Sequence, residues 1–132
     1  MKSIQPFERE ITIQFLELLV TIKLFHWKTH SYATHKATDE LYEKLNENID
    51  KFIEVLLGKI GNRINLENHK TISLHAYTSV DDLKIYIEQF KSYLVNLTDH
   101  KVMNLMTNTD LLNIRDELLG NLNQFLYLLT FK

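Results

Sequence analysis

The sequence predicts an all-α protein, a four-helix bundle forming one domain over residues 1–132. Three observations carry this. Three Gly and one Pro leave few places where the chain must turn. Apolar residues recur in steps of three and four along four separate stretches. Each stretch carries a single apolar stripe, and four such stripes satisfy one another most simply around one core.

The first stretch follows Ile4 with Phe7, Ile11, Phe15, Leu18, Ile22 and Phe25, and predicts α1 over residues 6–29. Pro6 suits its first turn, where the missing N–H has no intrahelical partner, and Glu8 complements the positive helix start. Leu41, Leu45, Ile49, Phe52, Leu56 and Ile60 predict α2 over residues 34–60, with Gly61-Asn62 as its stop. Residues 62–78 lack a long period and make an unusually long connection, in which a short internal helix is expected. Ser79 is an N-cap with an acidic residue, Asp82, three positions later, and opens α3 along Val80, Leu83, Ile87, Phe90, Leu94 and Leu97. Thr107 or Asn108 caps α4, whose stripe is Leu111, Ile114, Leu118, Leu122, Phe125 and Leu129. Short α1–α2 and α3–α4 connections make those pairs antiparallel. The α2–α3 connection is long enough to cross the length of the bundle.

Composition narrows the chemistry. Apolar residues are 45% and charged residues 24%, too hydrophobic for disorder and too polar for a membrane protein. No apolar run reaches the ~18 residues of a membrane span, and no signal peptide is read at the start, so a cytoplasmic setting is expected. A net charge of -2, with Lys2 alone before α1, argues against DNA binding. The absence of cysteine removes disulfides, thiolate zinc sites, iron–sulfur clusters and thiol nucleophiles. A metal must therefore be held by nitrogen and oxygen donors. The sequence contains no Glu-x-x-His, no His-Glu-x-x-His, no glycine-rich phosphate loop and no Gly-x-Ser-x-Gly turn.

What remains is His26, His35, Asp39, Asp50 and Glu54. At ~100° per residue, with His35 at zero, Asp39 falls at ~40°, Asp50 at ~60° and Glu54 at ~100°, a stripe roughly 120° from the apolar face of α2. The stripe faces a second surface of the helix and not the interior of its own bundle. At ~1.5 Å per residue, His35/Asp39 and Asp50/Glu54 lie roughly 22 Å apart, so one chain cannot join them. Two antiparallel copies of α2 about a two-fold axis near residues 44 and 45 bring each His35/Asp39 pair opposite the partner's Asp50/Glu54. His26 reaches the same end from α1. Each site then offers two imidazoles and three carboxylates, suited to iron or manganese and acceptable to zinc. Asp50 and Glu54 repel at i and i+4, and a cation removes that repulsion.

The segment Leu24-Phe25-His26-Trp27, followed by His35 and Asp39 and then by Asp50 and Glu54, resembles the ferroxidase motif of Dps proteins, the ferritin-like iron mini-storage family. The intervals of four, eleven and four match; the nine residues between the histidines fall short of the family's roughly twelve. The likeness is specific over residues 24–54 and architectural beyond them, and the chain is also similar to compact Dps-like sequences of viral genomes. The resemblance implies a ferritin-like bundle with a long α2–α3 connection. It implies Fe(II) oxidation by hydrogen peroxide or dioxygen at a dinuclear iron site between two-fold mates, and ferric mineral storage inside a twelve-subunit shell. His26, His35 and Asp39 would come from one subunit, and Asp50 and Glu54 from its mate. Trp27 would take up oxidising equivalents; its other reading is a core aromatic.

His30, one turn beyond His26 if α1 extends further, is the alternative ligand. His69, His75 and His100 are read as structural or surface residues, Tyr32 and Tyr42 as lining the site or packing at the dimer face, and Met103 and Met106 as packing. The competing function is a non-catalytic helical bundle serving as an interaction or structural protein.

Overall fold

The computed structural model describes residues 5–131; Lys2 and Ile4 lie outside them. Four α-helices form: α1 Gln5–Lys28, α2 Tyr32–Ile60, α3 Val80–Asn96 and α4 Thr109–Leu128. The helix starts follow the capping chemistry. Ser31 accepts a hydrogen bond from the Thr34 N–H, which begins α2 two residues earlier than its periodicity suggests. Ser79 does the same for the Asp82 N–H. Asn108 precedes α4 but gives it no side-chain cap; its amide donates instead to the Met103 carbonyl at 2.9 Å. α2 stops at Gly61, whose left-handed φ of 74° lets its N–H return to the Leu57 carbonyl.

Side-chain pairings fix the topology. His26 and His35 meet across the α1–α2 turn, so these helices are antiparallel. Lys59 pairs with Asp110 and Lys44 with Gln124, so α4 runs against α2. Phe90 packs on Phe15, and His100 beyond α3 packs on Phe7, so α3 runs against α1. α2 and α3 are therefore parallel, which requires the connection between them to travel the whole bundle.

Residues 62–78 do travel it, but without the expected internal helix: they contain only a turn and irregular backbone. The reason lies in α1. Arg9 binds the Asn65 carbonyl and the Glu67 carboxylate, the latter at 2.8 Å. Glu17 accepts from the Ser73 N–H at 2.8 Å, and Lys28 donates to the Ala76 carbonyl at 3.1 Å. Arg9, Glu17 and Lys28 mark the start, middle and end of α1, and groups spread over ~28 Å of helix are met only by a nearly extended strap. His75 completes it, stacking on Tyr77 and packing at a tilt against Tyr86, with Nε2 3.8 Å from Glu17.

The core is the predicted one. The apolar stripes of all four helices are buried, from Phe7 to Phe25, Leu41 to Leu56, Leu83 to Leu94 and Leu111 to Phe125, with Phe15 and Phe52 in edge-to-face contact. Met103 is buried and Met106 packs on the core, in the short 3₁₀ turns that join α3 to α4. Two charged residues are buried with them. Arg115 reaches back to the last turn of α3, donating to the Leu94 carbonyl and the Thr98 hydroxyl, both at 2.8 Å. Glu8, in the first turn of α1 where the sequence placed it, is only 1% exposed and sits one turn from buried Thr12. Among the described residues, no helix is long and apolar enough to cross a membrane.

Candidate metal centre

A three-residue turn, Thr29–Ser31, separates α1 from α2. Its tightness brings the His26 and His35 rings face to face, with centroids 3.8 Å apart and planes 17° apart. Each imidazole is bonded to the other's backbone: His26 Nδ1 lies 2.8 Å from the His35 carbonyl, and His35 Nδ1 lies 2.8 Å from the His26 carbonyl. A carbonyl only accepts, so both Nδ1 atoms must carry the proton. In the neutral ring the free lone pair is then on Nε2, and neither Nε2 has a protein partner among the described residues. An Nδ1–H held by a backbone carbonyl is the usual way a ligating histidine is oriented. The fully buried Thr38 hydroxyl, 3.0 Å from His26 Nδ1, donates to the backbone of Thr34 and packs the lock shut.

The other candidate donors face outward. His35, Asp39, Asp50 and Glu54 are exposed, whereas Ala37, Thr38, Leu41, Leu45, Ile49, Phe52 and Leu56 on the same helix are buried. The polar and apolar stripes of α2 thus diverge as their phases require. Asp50 hydrogen-bonds Glu54 and adds its like charge, holding the Glu54 carboxyl above the usual carboxylate range. With Glu47 and Glu117 of α4 this pair lines an open acidic groove. On its other flank Asp50 borders an apolar groove between α1 and α2, formed by Thr12, Leu16, Leu19, Ile49 and Ile53. Leu16 is 42% exposed there.

The chain brings together His26 with His35, and Asp50 with Glu54, but it does not bring the two pairs to one another. Among the described residues, no three His, Asp or Glu side chains converge on a common metal position.

Trp27 is not a core aromatic: it is 68% exposed, with the Lys23 ammonium 5.7 Å from its ring centroid. The same ammonium stands 4.3 Å from the Tyr42 centroid. α1 ends at Lys28, so His30 is not one helical turn beyond His26; it lies exposed in the loop. His100 is structural, its Nδ1 accepting from the Val102 N–H at 3.1 Å. Tyr32 is 73% exposed, with its ring 6.5 Å from that of His35. Thr38, which contacts the histidine pair, and Lys23, which stands over Trp27 and Tyr42 without touching any candidate donor, were not noticed in the sequence. Thr38 stands three residues from His35, the spacing at which helix neighbours touch.

Fold and donor arrangement together define an all-helical bundle bearing an oriented imidazole pair and a separate carboxylate pair on one long helix. Residues 26–129 match a family of unknown function (DUF5856), and the chain belongs to that family. No curated protein and no solved structure is a match.

Proposed function

We propose that this chain is a ferritin-like, Dps-like ferroxidase and iron-storage protein. It oxidises Fe(II) with hydrogen peroxide or dioxygen at a dinuclear site shared across a two-fold interface. The observation that carries the reading is the reciprocal lock between buried His26 and exposed His35, which fixes both Nδ1 protons and leaves two Nε2 lone pairs without a protein partner among the described residues. Asp50 and Glu54 supply a carboxylate pair whose mutual repulsion a divalent cation relieves. The apolar groove beside Asp50 supports self-association along α1 and α2.

Two imidazoles from one chain, with Asp39, and two carboxylates from a mate make a nitrogen and oxygen set suited to iron, with manganese and zinc as competitors. In this role Asp50 and Glu54 attract Fe(II), and their charge favours the ferric product. Thr38 and the two carbonyls hold the imidazoles aligned. The resemblance adds the twelve-subunit shell in which ferric mineral would collect.

The test mixes apo-protein with Fe(II) and hydrogen peroxide and follows ferric absorbance, with light scattering to measure assembly mass. Wild type is expected to oxidise iron at least tenfold faster than Asp50→Ala/Glu54→Ala. Equal rates would leave a non-catalytic bundle as the reading. A strict monomer at micromolar concentration would remove the shared site altogether.

A further inference from the structure

The Lys23 side chain is not accounted for by folding or by metal binding. It lies on α1, one turn before Trp27, and its ammonium stands over two aromatic faces, 4.3 Å from the Tyr42 centroid and 5.7 Å from that of Trp27. No salt bridge or hydrogen bond to Lys23 occurs among the described residues. Trp27 is the chain's one tryptophan and adjoins His26.

A cation over an aromatic face is attracted by the ring's electron density. One-electron oxidation reverses the sign of that contact: the indole becomes a radical cation, and attraction turns into repulsion. The ammonium thus stabilises the reduced ring and penalises the oxidised one. For Tyr42 the same contact opposes withdrawal of ring electron density, although the phenol sheds its proton on oxidation and ends neutral.

We propose that Lys23 is a positioning residue that protects Trp27 and Tyr42 from one-electron oxidation. The inference rests on the ferroxidase reading for its purpose, but not for its physics. The step it controls is balanced: an oxidising radical takes one electron from the Trp27 indole, the indole N–H proton passes to water, and a neutral indolyl radical remains. In the proposed reaction the radical is hydroxyl, formed with hydroxide when peroxide takes one electron from a lone ferrous ion. When two ferrous ions each give one electron to the same peroxide, both oxygens leave as water and no radical escapes. Protection therefore matters whenever the site holds only one ion.

The experiment compares wild type, Lys23→Met and Lys23→Arg. Met keeps the length of the side chain without its charge, and Arg restores the charge. In the first arm, metal-free protein is exposed to azide radical, an uncharged one-electron oxidant that Lys23 does not attract or repel at long range. The loss of Trp27 fluorescence is followed, a signal with no other source in this chain. Lys23→Met is expected to bleach about two- to five-fold faster than wild type, the factor equivalent to an exposed cation–π contact. Lys23→Arg is expected to match wild type. Equal bleaching in all three proteins overturns the proposal, as does Lys23→Arg behaving like Lys23→Met. In the second arm, Fe(II) and hydrogen peroxide replace the azide radical. Lys23→Met is expected to lose more Trp27 fluorescence per ferric ion formed at an unchanged iron oxidation rate; equal loss per ferric ion overturns the protective role. If no protein oxidises iron, the ferroxidase reading fails, while the first arm still decides the chemistry of Lys23.

Discussion

Arg115 offers a direct test of how the second half of the bundle is held. It is 8% exposed, and its Nη1 binds the Leu94 carbonyl and the Thr98 hydroxyl at 2.8 Å. The contact to the Val95 carbonyl, at 3.5 Å, is too long to contribute much. Its Nε meets Asp116 at 2.7 Å, but Asp116 is 62% exposed, so that pair is worth at most about 1 kcal/mol. Arg115→Met keeps the apolar stem and removes the charge. The Leu94 carbonyl keeps the Leu97 N–H but loses its charged donor, a bond worth about 1.5–3 kcal/mol. The last turn of α3 also loses a cation at its negative end, at about 0.5–1 kcal/mol. The Thr98 bond adds about 1 kcal/mol, and relief of the buried guanidinium's desolvation offsets part of the sum. The expected loss is about 3 kcal/mol. With a urea slope of about 1.5–2 kcal/mol per molar, the midpoint falls by roughly 1.5–2 M, read by far-ultraviolet circular dichroism. A shift under about 0.3 M at unchanged slope would refute the reasoning, because it would mean that the α3 carbonyls need no cap.

Gly61→Ala meets open space at its new Cβ, so only the backbone at φ 74° resists it; a loss of about 1 kcal/mol in urea unfolding is expected. Asp50→Asn should stabilise the metal-free chain at neutral pH, because Glu54 is held above its ordinary range by Asp50. A carboxyl raised in the native state penalises folding once ionised, so the advantage shrinks as pH falls through the raised value, and urea midpoints across pH 4–7 read it out. Tyr86, pushed up to about 12 by burial, should remain neutral in the native protein after exposed tyrosines have ionised. Its stabilising contribution should be lost as pH rises above the ordinary value of 10, and comparison of Tyr86→Phe with wild type by ultraviolet titration isolates the group.

How much of this was legible follows from the range of each interaction. The helices, the Ser31 and Ser79 caps, the Gly61 stop and the two stripes of α2 are set by residues within four positions of one another, and local spacing reveals them. The path of residues 62–78 depends on Arg9, Glu17 and Lys28, roughly 50 positions earlier, and no local pattern announces such partners. The burial of Glu8 and Arg115 went unread for a related reason. A charge beside an apolar stripe looks like surface until the neighbouring helix covers it. In the candidate site, the phases of His35, Asp39, Asp50 and Glu54 predicted their exposure. The stacking of His26 on His35 did not follow from spacing, because it depends on a turn of only three residues.

The strap has a kinetic consequence. Contacts between α1 and α2 join residues near in sequence, whereas α3 reaches α1 only after the chain has doubled back along the whole bundle. Closing the short loop costs far less chain entropy than laying down the long one, so the α1–α2 hairpin is the natural first unit to fold. All five candidate donors lie on that hairpin. A nascent chain would therefore carry the complete donor set on its first two helices before the remainder of the bundle had been synthesised.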